Sequence, residues 1–283
     1  MKFSLVMATL GRSDEIKIFL DSLKSQNYKN FELIIVDQNE NHILRNIIDS
    51  YKDNFYINHI RIREKGLSLA RNVGIKYATG DIIAFPDDDC AYSEGILSFI
   101  VDFFKENEKF NFLTFRLRDK ESGEDANLKW YDYNVEINYK NIFRTVISPS
   151  IFIKIKSRDD VFFDENLGVG RKFGSGEETD MILELLHRGY KGMFLNDYIV
   201  YHPNKIEPIE KIYSYGLGYG ATIKKQVKLR DGSGFVLNYL VKDSLLKPIV
   251  GMIINFVIFN KYKADSYRKR MISRIKGYLE YEI

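Results

Sequence analysis

The sequence predicts an α/β protein with a mostly parallel central sheet flanked by helices and a helical C-terminal extension. Three observations carry that prediction. Through the first part of the chain, short apolar runs alternate with segments whose apolar residues recur every three or four positions. Polar or acidic residues gather where each apolar run stops. From about Glu207 onward the strand-like runs cease and helical spacing takes over.

Taken in order, Phe3 to Ala8 (FSLVMA) reads as a buried strand. Asp14 to Gln26 follows with apolar residues at Ile16, Phe19, Leu20 and Leu23, which is one face of a helix. Phe31 to Val36 (FELIIV) is a second strand, closed by Asp37 and a polar loop, and Ile43, Ile47, Ile48 and Tyr51 mark a second helix. Ile57 to Ile62 alternates as a third strand, and Leu67 to Ala78 forms a third helix with Gly80 expected at its C-cap. Asp81 to Phe85 (DIIAF) is a fourth strand. A helix is expected near Ser93–Lys105, strands at Asn111–Arg118 and Ser150–Lys156, and a short helix at Thr179–Arg188 ended by Gly189. Residues 119–145 read as a long polar loop, of the kind that is usually functional or mobile. The β-α-β order implies right-handed crossovers, and such sheets bind ligands at the carboxyl ends of their strands, at a switch point.

The chain has 283 residues, 45% of them hydrophobic, enough for a packed core and against disorder. A net charge of +3 is too small to imply nucleic-acid binding by itself. The single cysteine, Cys90, excludes an internal disulfide and a CxxC metal site, and a reducing cytosol is the expected compartment. No stretch reaches the roughly 18 uninterrupted apolar residues of a spanning helix. The apolar run behind Lys2 reads as the first strand rather than a signal peptide.

Four clusters bear on chemistry. Asp87, Asp88 and Asp89 stand at the exit of the fourth strand, where like charges repel unless a cation relieves them. Mg²⁺ or Mn²⁺ would do so, with Asp87 and Asp89 sharing a face and Asp88 pointing away. A solvated acidic turn would account for the tripeptide too. Gly174 to Asp180 (GSGEETD) brings Glu177, Glu178 and Asp180 to a helix start, where acids either complement the dipole or serve as a general base. Lys65, Arg71 and Asn72 surround a helix N-terminus suited to a diphosphate. His202, beside Pro203 at a strand end, could complete a metal shell or be an ordinary packed histidine.

Together these residues resemble family 2 glycosyltransferases, from Phe3 to about Pro203. SLVMATLGR looks like the family's first strand and its Thr-x-x-x-Arg nucleotide loop, which designates Thr9 and Arg12. FELIIVDQ places Asp37 where the family's acid recognises the base. GLSLARNVGIKYATGDIIAFPDDD follows the family's long composite motif almost position by position. GEETDM is similar to its base motif, with Glu178 where Asp is common. Cys90 stands where the family often has Asp, and His202 matches a histidine found in some relatives only.

The resemblance implies the GT-A fold and an inverting transfer of sugar from a nucleoside-diphosphate sugar, UDP-sugar favoured, to a hydroxyl of a glycan or lipid-linked acceptor. It implies Asp87 on ribose and metal, Asp88 near the donor, Asp89 on Mn²⁺ or Mg²⁺ with His202, and Arg71 and Lys65 on the diphosphate. Glu178 is the expected base, with Asp180 next in line and Glu177 beside them. The expected division is a catalytic domain over 1–206, with nucleotide-binding (1–110) and acceptor (111–206) halves, and a helical extension over 207–283. Within that extension, Leu245 to Phe259 is strongly apolar and the segment after it is cationic. That pattern fits peripheral contact with anionic membrane at the inner face of the cell membrane, or a helix pair with a solvated basic face. A nucleotidyltransferase is disfavoured because TLGRS is too short and glycine-poor for its loop. A non-catalytic member of the same fold is the other alternative.

Overall fold

The computed structural model describes the chain except residues 231–233 and 235. The chain divides into two compact units. One comprises Met1–Lys65, Leu69–Phe162 and Glu184–Asn204; the other comprises Gly66–Ser68, Phe163–Leu183 and Lys205–Ile283.

The first unit is built on a nine-stranded sheet. Its strands are β1 (Phe3–Thr9), β2 (Phe31–Asp37), β3 (Tyr56–Arg61), β4 (Ile82–Ala84), β5 (Ala91–Tyr92), β6 (Phe112–Arg118), β7 (Val135–Ile137), β8 (Phe152–Lys154) and β9 (Gly192–Tyr201). They run in the order β3-β2-β1-β4-β8-β6-β9-β5, with β7 paired to β9. The first four strands are mutually parallel. β8 runs antiparallel to β4 and β6, and β6 is parallel to β9. β1 and β2 are buried along their whole length, as unbroken apolar runs in a covered parallel sheet should be. Because β2 and β3 lie on one side of β1 and β4 on the other, the chain reverses its direction of winding at β1. The carboxyl ends of β1 and β4 therefore flank the switch point.

The helices of this unit are α1 (Asp14–Lys24), α2 (Arg45–Tyr51), α3 (Leu67–Ile75) from its third residue on, and α4 (Ile96–Glu106). The stripe of α1 is fully buried, as its spacing predicts. In α2 only Ile48 is buried. The third helix stops three residues short of the predicted Ala78, so Gly80 does not cap it. A Cβ at Gly80 would instead lie 2.6 Å from the Lys2 carbonyl oxygen and 2.7 Å from the Ser4 nitrogen. Glycine is required there because the chain entering β4 presses against the backbone of β1.

Residues 119–145 are more ordered than their composition predicts. Trp130 is buried, stacks on Phe194 with ring centroids 5.6 Å apart, and donates its Nε1–H to the Ala126 carbonyl at 2.9 Å. β7 and the Arg116–Asp125 ion pair hold the remainder.

The second unit gathers the first two turns of α5 (Glu177–His187) with α6 (Ile209–Arg230), a wide-turn helix Val236–Leu246, α7 (Lys247–Val257) and α8 (Lys261–Glu280). α6 and α8 cross at backbone contact. A Cβ at Gly277 would overlap the Leu217 carbonyl, and one at Gly220 would overlap the Arg274 carbonyl. Leu167, Phe173, Leu217, Ala221 and Tyr281 form a small apolar core. The GSGEETDM segment thus belongs to the same compact unit as the C-terminal helices.

Candidate active site

The carboxyl ends of β1, β2 and β4 and the end of β9 carry a connected set of polar side chains in the first unit. After β4 the chain makes a turn closed by the Cys90 N–H donating to the Asp87 carbonyl at 3.3 Å. The turn sorts the three aspartates. Asp88 swings to Arg12, accepting from Nη1 at 2.8 Å, and Asp89 pairs with the same Nη1 at 2.5 Å. Asp87 accepts from Arg71 Nη2 at 3.1 Å. Arg71 is 1% exposed, a buried cation that the sequence reading placed on a helix end and that the fold aims at the acidic turn. Its counter-charge is what makes that burial tolerable.

His202 follows β9, where its N–H donates to the Arg118 carbonyl at 3.1 Å. Its Nε2 lies 3.4 Å from Asp89 Oδ1 and 3.9 Å from Asp87 Oδ2. One ligand atom each from Asp87, Asp89 and His202 falls within 4.8 Å of the others, close enough for a single cation to be shared. Asp88 lies outside this group. Two carboxylates and one imidazole are a donor set for a divalent ion of intermediate softness, so the residues present fit Mn²⁺ and accept Mg²⁺.

Proton affinities carry the imprint of the same crowding. Burial pushes the Asp88 carboxyl up to about 6, against the pull of the Arg12 charge, and the neighbouring Asp87 and Asp89 add to the rise. Thr9, at the end of β1, is buried beside it. For His202, burial opposes the charged form, but the Asp89 hydrogen bond and the two carboxylate charges outweigh it and raise its pKa. The same negative potential would favour a divalent cation. Burial pushes the Cys90 thiol up, so it is an inert packing group.

Asp37 is fully buried at the end of β2. It accepts from the Asn39 N–H and from Asn39 Nδ2, both at 2.8 Å, and lies 3.0 Å from His59 Nε2. Burial would raise its pKa, but these hydrogen bonds prevail and lower it. Asn39 Oδ1 in turn accepts from the Gly11 N–H at 2.7 Å, joining this loop to the one bearing Arg12. Arg61 clasps the loop further, with Nη2 donating to the carbonyls of Asn39, Glu40 and Asn41. Asn39, His59 and Arg61 escaped the sequence reading; the alternation of β3 gave the only cue, since it sets His59 and Arg61 two residues apart. Lys65 is exposed and pairs with Glu40 at 2.9 Å on that same loop.

Asp119 is another residue that sequence missed. Its carboxylate accepts from the Ser122 N–H at 2.7 Å and the Asn204 N–H at 2.6 Å, and these bonds hold its pKa down at about 2. It ties the chain immediately after His202 to the turn following β6.

In the second unit, α5 opens with Glu177, Glu178, Thr179 and Asp180. Glu177 is buried beneath Gly168, whose Cβ would stand 3.2 Å from its carboxyl carbon, and Glu178 is partly exposed. Asp180 is 2% exposed and has both oxygens occupied, Oδ2 by Lys225 Nζ and Oδ1 by Gln226 Nε2, each at 2.7 Å. Lys225 also donates to Asp164 at 2.7 Å, and Asp164 accepts from the Tyr281 hydroxyl. Burial raises the Asp180 pKa despite the Lys225 charge.

Residues 4–161, more than half of the chain, match the family model for glycosyl transferase family 2. The chain belongs to that family. A minor teichoic acid biosynthesis protein of Bacillus subtilis strain 168, GgaA, is similar to this family 2 chain at 26% identity over 179 residues, which is 58% of the chain and 40% of GgaA. The chain therefore spans well under two thirds of that relative. Among solved structures, residues 1–349 of S. aureus TarS in complex with UDP-GlcNAc match with a TM-score of 0.61 and 16% identity over 98% of this chain and 89% of that one. A mannosyltransferase from Pyrobaculum calidifontis, in complex with GDP-Man and Mn²⁺, matches with a TM-score of 0.67 and 13% identity over 99% and 87%. The fold of this family 2 chain is GT-A, as the sequence predicts.

Proposed function

We propose that this chain transfers a sugar from a nucleoside-diphosphate sugar, with UDP-sugars favoured, to a hydroxyl of a glycan or lipid-linked acceptor in cell-envelope polysaccharide synthesis. The observation that carries the reading is the convergence of Asp87, Asp89 and His202 at the switch point of the sheet. The complexes of its fold neighbours with UDP-GlcNAc and with GDP-Man and Mn²⁺ support the same reading.

Asp87, Asp89 and His202 would hold Mn²⁺ or Mg²⁺, which when bound supplies Lewis-acid neutralisation of charge on the departing diphosphate. Arg12 orients the acidic turn by bridging Asp88 and Asp89. Arg71 fixes Asp87 and adds positive potential where the diphosphate oxygens are expected. Asp37, kept ionised by its hydrogen bonds, accepts from the donor's base, with Thr9 beside it at the end of β1 and Lys65 paired to Glu40 on the loop that Arg61 clasps. Glu178 takes the proton of the acceptor hydroxyl as that oxygen attacks the anomeric carbon, a single displacement that inverts configuration. We assign this role to Glu178, which is partly exposed, rather than to Asp180, which is buried at 2% exposure and held by Lys225 and Gln226. Glu177 borders the base without replacing it.

The test is a panel of nucleotide-sugars incubated with the protein and candidate acceptors, in Mn²⁺ and in chelator, with free nucleoside diphosphate as the readout. Acceptor-dependent release that needs the metal is expected. A pyrophosphate product from nucleoside triphosphate, or no release from any donor that measurably binds, overturns the assignment.

A further inference from the structure

α7 is built inside out. On one face Pro248 and Asn255 are buried, Gly251 meets the ring of Tyr267 on α8, and Asn255 returns its side-chain amide to the Gly251 carbonyl at 2.8 Å. The opposite face is apolar and open to solvent: Val250 is 55% exposed, Ile253 54%, Phe256 77% and Val257 66%, and beyond the helix end Phe259 reaches 88%. A helix packed only against its own unit would show the reverse order, with the large apolar residues inward. Contiguous exposed apolar surface of this kind marks a contact with an apolar medium.

Charge chooses the medium. Lys261 and Lys263 are exposed immediately after the apolar segment, with Tyr262 exposed between them. Between residues 242 and 276 the only acids are Asp243 and Asp265. Both are already engaged, Asp243 with Lys247 at 2.6 Å and Asp265 with Arg268 at 2.6 Å. A second copy of the chain would bring the same cationic rim against itself, which like charges oppose. An anionic lipid surface offers acyl chains to the apolar face and headgroups to the lysines and tyrosine. Among the described residues no helix is long and apolar enough to cross a membrane.

We propose that α7 lies in the plane of an anionic bilayer, with Val250, Ile253, Phe256 and Val257 immersed and Lys261 and Lys263 at the headgroups. The inference stands apart from the transfer chemistry, so either can fail alone. The experiment is co-sedimentation of the full chain with vesicles of phosphatidylcholine alone or mixed with phosphatidylglycerol, alongside analytical ultracentrifugation without lipid. Wild type should bind the anionic vesicles preferentially. K261E/K263E should lose about fivefold or more in that affinity for each cation removed. V250D/V257D, altered only on the exposed face, should lose vesicle binding while its circular dichroism and thermal unfolding match wild type. Failure of wild type to sediment with anionic vesicles overturns the proposal. So does a lipid-free dimer that V250D/V257D dissociates, because the face would then belong to a second copy.

Discussion

Replacing Lys225 by Met removes the cation shared by Asp164 and Asp180 while keeping most of the side-chain volume. Lys225 makes two 2.7 Å contacts, and the side chains of Lys225, Asp164 and Asp180 are 17%, 14% and 3% exposed, so solvent screens the cluster only in part. Values near zero, typical of surface ion pairs, do not apply here. Breaking a buried pair on one side costs about 3–5 kcal/mol. A proton on Asp180 provides an escape, which limits the cost to about 1.4 kcal/mol for each pH unit between the medium and the carboxyl's own pKa. We expect a loss of about 3 kcal/mol near neutral pH. The sign with pH follows. Burial already raises the Asp180 pKa in the folded chain, and loss of Lys225 raises it further. A carboxyl whose folded pKa exceeds its unfolded one makes the folded state weaker as pH rises between the two values, so the deficit should shrink as pH falls from neutrality toward the ordinary carboxylate range. Urea unfolding followed by circular dichroism across that range reads both effects. A loss below about 1 kcal/mol, or one indifferent to pH, would refute the argument. So would failure of Asp180→Asn to recover part of the loss when added to Lys225→Met.

Gly277→Ala should destabilise the protein by about 1–3 kcal/mol through overlap with the Leu217 carbonyl, visible as a lower unfolding temperature. Asp37→Ala should weaken UDP binding by about tenfold or more in calorimetry, the worth of a hydrogen bond to a charged group. Because hydrogen bonds lower the Asp37 pKa, the wild-type affinity should persist as pH falls into the ordinary carboxylate range and decline only below it. Glu178→Gln should cut the transfer rate by about 10²–10⁴ with donor affinity unchanged, whereas Asp180→Asn should show itself first in stability.

Patterns repeating within one element were legible in the sequence. The buried runs of β1 and β2 and the stripe of α1 stand where spacing placed them. In the acidic turn, a turn rather than an extended strand sets Asp88 apart from Asp87 and Asp89. Features that depend on a distant partner were not legible. Gly80 looks like a helix cap until β1 is seen against it. Residues 119–145 look like a bare loop until Phe194 receives Trp130. His59 and Arg61 read as unremarkable strand residues, because their partners lie about twenty positions earlier in the chain. Asp180 and Glu178 are near neighbours in sequence, and the partners that bury Asp180, Lys225 and Gln226, lie more than forty residues on.

Mn²⁺ binding followed by electron paramagnetic resonance, in wild type and in Asp89→Ala, with and without UDP, reaches the cation site without reference to any sugar or acceptor. One bound ion in wild type, held more tightly with UDP and lost in Asp89→Ala, is the expected result. Equal binding by the two proteins would contradict the assignment of Asp87, Asp89 and His202 to the metal.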